Sequence, residues 1–233
     1  MSTIAGNLQA VEATIEAACR AAGRPRSTVQ LLAVSKTFPA EAVLEAAACG
    51  QRAFGENYLQ EGIDKIAAVA KALPDTALEW HFIGPIQSNK TRPIAAHFDW
   101  VHTVERLKIA QRLSEQRPPE LGPLNICLQV NISGEASKSG IQPDELPALA
   151  QAVAALPNLR LRGLMAIPEP QEDPELQRLP FARLRALAQD IVKSGIHLDT
   201  LSMGMSGDMR AALLEGASIV RVGSAIFGAR HYE

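Results

Sequence analysis

The amino-acid sequence predicts an α/β fold: a single (β/α)8 barrel, or TIM barrel, spanning residues 1–233, with one extra helix at the N-terminus. Three observations lead there. Eight short apolar runs alternate with helix-like stretches along the whole chain. The length of 233 residues suits one such barrel without a second core. The first apolar run ends in Ser-Lys-Thr and not in the Gly-rich turn that opens a doubly wound sheet.

The elements follow in order. Ile4, Leu8, Val11, Ile15 and Ala18 recur at helical spacing, so the chain opens with a helix that stops near Gly23 and Pro25. QLLAVS (30–35) reads as the first strand, and PAEAVLEAAACG (39–50) as a helix stopped by Gly50. RAFGE (52–56) is a short strand, and residues 57–73 are helical despite Gly62. LEWHFIG (78–84) is the third strand, with a short helix from Ser88. DWVHTV (99–104) precedes a helix over 105–117 that Pro118 and Pro119 terminate. LNICLQVNI (124–132) is the fifth strand, and 143–156 is a helix with Pro143 in its first turn. LRLRGLMAI (159–167) is the sixth strand, followed by a helix over 174–195 expected to bend at Pro180. LDTLSMG (198–204) is the seventh strand and 209–217 a helix, after which SIVRVGSAIFG (218–228) holds the eighth strand. The loop PEPQEDPE (168–175) is stiff and acidic, suited to solvent.

Bulk properties narrow the classes of function. The net charge is −2, so no basic excess argues for nucleic acid or an anionic membrane surface. No apolar run is long enough to cross a bilayer, and the N-terminal stretch lacks the apolar core of a secretory signal. Cys19, Cys49 and Cys127 are odd in number and form no C-x-x-C, which fits a reducing cytoplasm and neither a disulfide framework nor a zinc site.

A barrel of this kind gathers its functional groups at the C-terminal ends of its strands. Lys36 follows the first strand, Asn57 the second, Asn131 the fifth, Ser206 the seventh and Gly223 the eighth; His81 lies in the third and Met165 in the sixth. Read alone, Lys36 is a solvated strand end. At a barrel mouth, shielded by apolar neighbours, the same lysine can form a Schiff base with a sugar phosphate or with pyridoxal 5′-phosphate. SMGMSGDM places Gly204, Ser206 and Gly207 before a helix, and VRVGSA places Gly223 and Ser224 before a short final one. Small-residue turns after strands seven and eight suit a phosphate, or serve as ordinary caps with Ser206 or Asp208 at the N-cap. Arg221 alternates with Val220 and Val222 in the eighth strand. It needs either a structural ion pair or a ligand atom, since an unpaired buried cation is costly. His81 reads as a hydrogen-bonded core histidine. Glu56 and Asn57 orient groups at the mouth or cap the next helix, and Lys138 sits in a polar loop able to close over a ligand.

LLAVSKTFP, FGENYLQE, WHFIGPIQSNK, VNISGEASKSGI, LRGLMAIP, LSMGMSGDM and VRVGSAIFGAR occur in this order. With these motifs the chain closely resembles the pyridoxal phosphate homeostasis protein family over about residues 4–230. The resemblance implies a fold type III barrel like the N-terminal domain of alanine racemase, with pyridoxal 5′-phosphate as cofactor. It implies that Lys36 holds the cofactor covalently, and that Ser206, Gly223 and Ser224 bind its phosphate, with Gly207 adding a backbone donor. It places Arg221 against the pyridine nitrogen, Asn57 near the 3′-oxygen, and Met203 and Met205 near the ring.

Arginine only donates hydrogen bonds, so beside the pyridine it keeps that nitrogen unprotonated and weakens the ring as an electron sink. Racemases of this fold type work with such an arginine, but they add a tyrosine base from a second domain. Here the chain ends at Glu233, and its two tyrosines, Tyr58 and Tyr232, are poorly placed for that task. The expected role is therefore non-catalytic: a cytoplasmic monomer that binds pyridoxal phosphate, buffers it and passes it to pyridoxal phosphate-dependent apoenzymes. A weak racemase or decarboxylase is the alternative, and a cofactor-free Schiff-base aldolase a more remote one.

Overall fold

The computed structural model describes residues 3–134 and 139–229. Eight parallel strands close into a barrel in sequence order: β1 (Gln30–Val34), β2 (Ala53–Glu56), β3 (Glu79–Phe82), β4 (Trp100–Val104), β5 (Leu124–Gln129), β6 (Leu159–Met165), β7 (Thr200–Ser202) and β8 (Ile219–Val222). Leu32 pairs with Arg221 and Ala33 with Val222, which joins β1 to β8 and shuts the sheet. Nine α-helices are found among the described residues. α1 (Ile4–Ala21) precedes the barrel, as expected. Then come α2 (Ala40–Ala48), α3 (Leu59–Ala72), α4 (Thr91–His97), α5 (Leu107–Gln116), α6 (Leu146–Ala154), α7 (Pro174–Lys193), α8 (Met209–Leu214) and the one-turn α9 (Ser224–Phe227). Their placement follows from the strands: residues on the outer pleats, such as Leu31, Ala33 and Phe54, are apolar and need a helical cover.

Strand alternation separates two cores. The larger lies between sheet and helices. The smaller fills the barrel interior with Leu32, Ala53, Trp100, Cys127, Met165 and Ile219. A barrel interior of this kind is packed and is not a pore. Here part of the filling is polar: His81, His102, Ser202 and Arg221 are also buried.

Several expected boundaries shift. The seventh strand is three residues long, shorter than 198–204, because Gly204 turns the chain away at φ 94°. The third helix starts at Leu59, with Tyr58 at its N-cap and no side-chain cap bond, so Asn57 does not serve as its cap. α8 begins at Met209, and neither Ser206 nor Asp208 caps it with a side chain. Asp208 Oδ1 instead accepts from the Met205 N–H at 2.6 Å and ties back the turn between them. α7 continues through Pro180 without a break. Lys138 lies outside the described residues.

Candidate functional site

At the C-terminal ends of the strands a cavity of about 310 Å³ opens between β1, β2, β6 and β8. That places it at the small end of ordinary ligand clefts, roughly 300–1,000 Å³. Its lining includes Lys36, Asn57, Met205, Ser206, Gly207, Arg221, Gly223 and Ser224. Eight of the nine site residues read from the sequence thus meet in one place. Met203 is the exception. It is fully buried in the outer core, because alternation along β7 turns Ser202 inward and Met203 outward. The apolar wall is built by Val34, Ile83, Met165 and Ile167. Of these, only Met165 stands out at a strand end in the sequence; the others are ordinary apolar residues of strands and loops.

Lys36 is half-buried, one residue beyond the end of the fully buried run Leu31–Ser35. The peptides on either side of it are held from below. Lys65, on the inner face of α3, donates to the Ser35 carbonyl at 2.8 Å, to Glu56 Oε1 at 2.7 Å and to Glu61 Oε1 at 2.9 Å. Ser35 Oγ also donates to Glu56 Oε1, at 2.6 Å. Glu61 Oε1 accepts from the Thr37 N–H at 2.6 Å. Thr37 takes φ 67°, a left-handed conformation that a β-branched residue rarely adopts. It persists because two side chains of α3, Lys65 and Glu61, fix the peptides on both sides of Lys36. Burial pushes the Glu56 carboxyl above its ordinary range, against the opposing pull of Lys65. No local sequence pattern encodes this network, because its members come from three separate elements, β1, β2 and α3.

Asn57 is held at the cavity edge by a close approach: a Cβ on Gly84 would lie 2.1 Å from the Asn57 carbonyl oxygen, so only glycine fits there. Asn57 Oδ1 is buried and has no hydrogen-bond partner among the described residues. A buried acceptor without a donor is costly, which marks it as a group suited to a ligand donor. On the far side, Met205, Ser206, Gly207 and Ser224 are exposed at the rim, and no heavy atom lies within 4 Å of a Cβ built on Gly207. Backbone and hydroxyl donors from two turns, 204–208 and 223–224, therefore open on the same space.

Arg221 is buried at 4% exposure and also lines the cavity. Burial lowers its pKa to about 10, against the pull of Asp208 and Cys127. It stays a cation at neutral pH. No carboxylate of the described residues pairs with it; it donates to Ser202 Oγ at 2.8 Å and to the Ala166 carbonyl at 3.1 Å. Among the described residues Arg221 is therefore held by hydrogen bonds to neutral groups and not by an ion pair. His81 is fully buried inside the barrel and does not line the cavity. It is a hydrogen-bonded core histidine, as expected.

This arrangement offers an amine at the end of a strand, an arginine on the inner wall and two donor-rich turns for an anion. The chain and its fold have close counterparts. A sequence model of the alanine racemase N-terminal domain family matches residues 6–231. The pyridoxal phosphate homeostasis protein of Pseudomonas aeruginosa is 66% identical over 232 residues, covering 100% of this chain and 98% of that one. The Escherichia coli K12 protein of the same name is 57% identical over 233 residues, covering 100% and 99%. Among solved structures, PipY of Synechococcus elongatus with pyridoxal phosphate bound superposes with a TM-score of 0.83 at 39% identity, covering 97% of this chain and 100% of PipY. An alanine racemase of Clostridium difficile shares the fold, with a TM-score of 0.70 at 17% identity, and this chain covers 57% of it. The chain belongs to the alanine racemase N-terminal domain family and, within it, to the pyridoxal phosphate homeostasis proteins.

Proposed function

We propose that the cavity binds pyridoxal 5′-phosphate through a Schiff base on Lys36 and that the protein serves intracellular homeostasis of this cofactor. It holds the cofactor reversibly, buffers the free aldehyde and passes it to apoenzymes. The observation that carries this reading is the meeting of Lys36, Arg221 and the two donor-rich turns in one cavity. The relatives' name and the ligand in the PipY structure support it. When bound, pyridoxal phosphate supplies a reactive aldehyde and an electron-withdrawing ring.

In this reading Ser206, Gly223 and Ser224 hold the phosphate, with the Gly207 backbone beside them. Arg221 donates to the pyridine nitrogen. Asn57 Oδ1 gains the donor that it lacks. Met205 lies against the ligand, and Met203 supports the site from the outer core. The protein works as one barrel domain, as a monomer and in the cytoplasm; the free thiols of Cys19, Cys49 and Cys127 are compatible with a reducing compartment.

Two features favour holding over turnover. Arg221 cannot protonate the ring, because guanidinium stays charged and serves only as a donor. No tyrosine of the described residues lines the cavity, and Tyr58 is exposed. A racemase needs an acid–base group on each face of its substrate.

The test is direct. Protein mixed with pyridoxal phosphate takes on the visible absorption of a Schiff base, and Lys36→Ala abolishes it. A colourless protein that takes up no cofactor would overturn the proposal. Mixing loaded protein with an apoenzyme plus a trap for free aldehyde then separates delivery from buffering: activation no faster than release into solution leaves buffering alone. Rapid deuterium exchange at the α-carbon of an amino acid would replace this reading with an enzymatic one.

A further inference from the structure

Polar side chains form one continuous line through the apolar interior of the barrel. Arg221 Nη1 lies 2.8 Å from Ser202 Oγ. Ser202 Oγ lies 2.7 Å from His102 Nδ1. His102 Nε2 lies 2.8 Å from His81 Nδ1. His81 Nε2 lies 2.8 Å from Glu79 Oε1. Ser202, His102 and His81 are all at 0% exposure. Glu79 is the first residue of β3, at the barrel mouth opposite the cavity, where it shares a polar cleft with Gln30, Arg52, Asp99 and Asn125. The line therefore spans the barrel from the cavity wall to the other end.

Its two ends fix the position of every proton between them. Guanidinium can only donate, and an ionised carboxylate can only accept. Burial raises the Glu79 carboxyl, but the hydrogen bond and charge attraction of His81, with a further bond from Gln30, outweigh this and hold it at about 2, so it is ionised at neutral pH. Ser202 Oγ accepts from Arg221 and could accept a second bond, so the direction is set from the Glu79 end: a neutral His81 must donate through Nε2, and each group above it then donates in turn, ending with Ser202 to His102 Nδ1. His102 then carries its proton on Nε2 and donates to His81 Nδ1. His81 likewise carries its proton on Nε2 and donates to Glu79. Burial pushes both imidazoles below their ordinary range, helped at His102 by His81 and Arg221. Both rings are neutral at pH 7. The other charged groups at this line are Asp99 at its foot, Arg162 stacked on Trp100 beside it and Asp208 near its head. The Cys127 thiol is pushed up to about 12 and stays neutral.

Bulk packing does not require this polarity. Replacing a buried polar set by apolar groups of similar volume is often neutral or stabilising. A fixed direction of donation has an effect at the head of the line, where it ties up one N–H of Arg221 Nη1. A second N–H, on Nη2, goes to the Ala166 carbonyl. With two anchors in different directions, the guanidinium plane is set and its remaining N–H groups are left for the cavity.

We propose that Ser202, His102, His81 and Glu79 are positioning residues for Arg221, a one-way hydrogen-bonded column that orients its guanidinium from the opposite mouth of the barrel. Only the optical part of the test rests on the pyridoxal phosphate reading.

Nitrogen-15 NMR of the ligand-free protein at pH 7 reads the column directly. Both His81 and His102 are expected as neutral Nε2–H tautomers, and the Arg221 Nη groups as separate, slowly rotating signals. Glu79→Gln replaces the acceptor-only foot with a group that can also donate. It should introduce the Nδ1–H form of His81 and speed the rotation of Arg221, while Ser202→Ala frees Arg221 and Ser202→Thr preserves it. A charged or Nδ1–H ring in the wild type, or an Arg221 signal indifferent to Glu79→Gln, would overturn the column. In protein loaded with pyridoxal phosphate, Glu79→Gln and Ser202→Ala should each shift the pH midpoint of the visible band by about half a unit, the scale of one altered hydrogen bond. The two shifts should not add, because both act through one chain. Independent, additive shifts, or none with Glu79→Gln, would show that the buried groups do not act on Arg221. Glu79 is partly exposed and its replacement keeps the same shape, so thermal melting confirms that this variant is folded. If pyridoxal phosphate fails to bind at all, the ligand-free spectra still decide the column.

Discussion

Lys65 shows how a side chain remote from a ligand can set up a site. It is buried to 4%, and its partner Glu56 to 0%. Removing one member of a buried pair strands the other, so Lys65→Met is expected to destabilise the protein by about 3–5 kcal/mol in urea unfolding. Lys65→Met combined with Glu56→Leu should recover most of that loss, because no charge is then left buried. Both forms lose the Lys65 bond to the Ser35 carbonyl that precedes Lys36, so both should bind the proposed cofactor more weakly than the wild type. Equal affinity in the double variant would show that the turn does not need them. His102 gives a prediction about acid. Burial holds its folded pKa well below the ordinary 6.5. The unfolded chain therefore takes up a proton that the folded protein refuses. Stability should fall as pH drops below about 6.5, by up to about 1.4 kcal/mol per pH unit from this group while the folded ring stays neutral. His102→Asn should flatten that slope in urea titrations between pH 6.5 and 5. At this scale the sequence is informative about groups at strand ends. Lys36, Ser206, Gly223 and Ser224 are placed by the order of elements alone. Lys65 and His102 are not, because their partners come from other elements at separations that no local pattern encodes.

Elements were easier to foresee than their edges. Eight apolar runs became eight strands because each has an apolar outer pleat that a helix must cover. The end of a strand, in contrast, depends on its neighbours. β7 is short because Gly204 turns out at a left-handed φ, yet Met203 N–H still reaches the Ile219 carbonyl at 3.1 Å. The pairing of β6 with β7 shows the same dependence. A Cβ on Gly163 would lie 1.7 Å from the Thr200 carbonyl oxygen, with which Gly163 is in register. Gly163→Ala must force the two strands apart, and a loss of about 1–3 kcal/mol is expected by thermal or urea unfolding. A loss near zero would mean that β6 can slide without cost. A glycine inside an apolar run gives no sign in the sequence of which backbone it faces.

The whole barrel is closed twice, once by β1 on β8 and once by α1. That helix packs against α2, α8 and α9, and so joins the start of the chain to the last β/α unit. Asn7 Nδ2 donates to the Ile226 carbonyl of α9 at 2.8 Å, and Arg24 Nη1 to the Ala217 carbonyl before β8 at 2.9 Å. The extra helix thus braces the turn at Gly223 and Ser224. Ile15 is fully buried in α1, and Ile15→Ala should cost about 2–5 kcal/mol of stability. Weaker binding of inorganic phosphate by that variant, at a temperature where it remains folded, would confirm the brace. The turn that carries Lys36 is fastened by Lys65 and Glu61, both outside the cavity lining, so its shape does not wait for an occupant. Loading and unloading then require no local refolding. The Thr37 amide should exchange with deuterium at the same slow rate in the empty and the filled protein, and a site built this way would take up and release the proposed ligand at the speed of the bond chemistry alone.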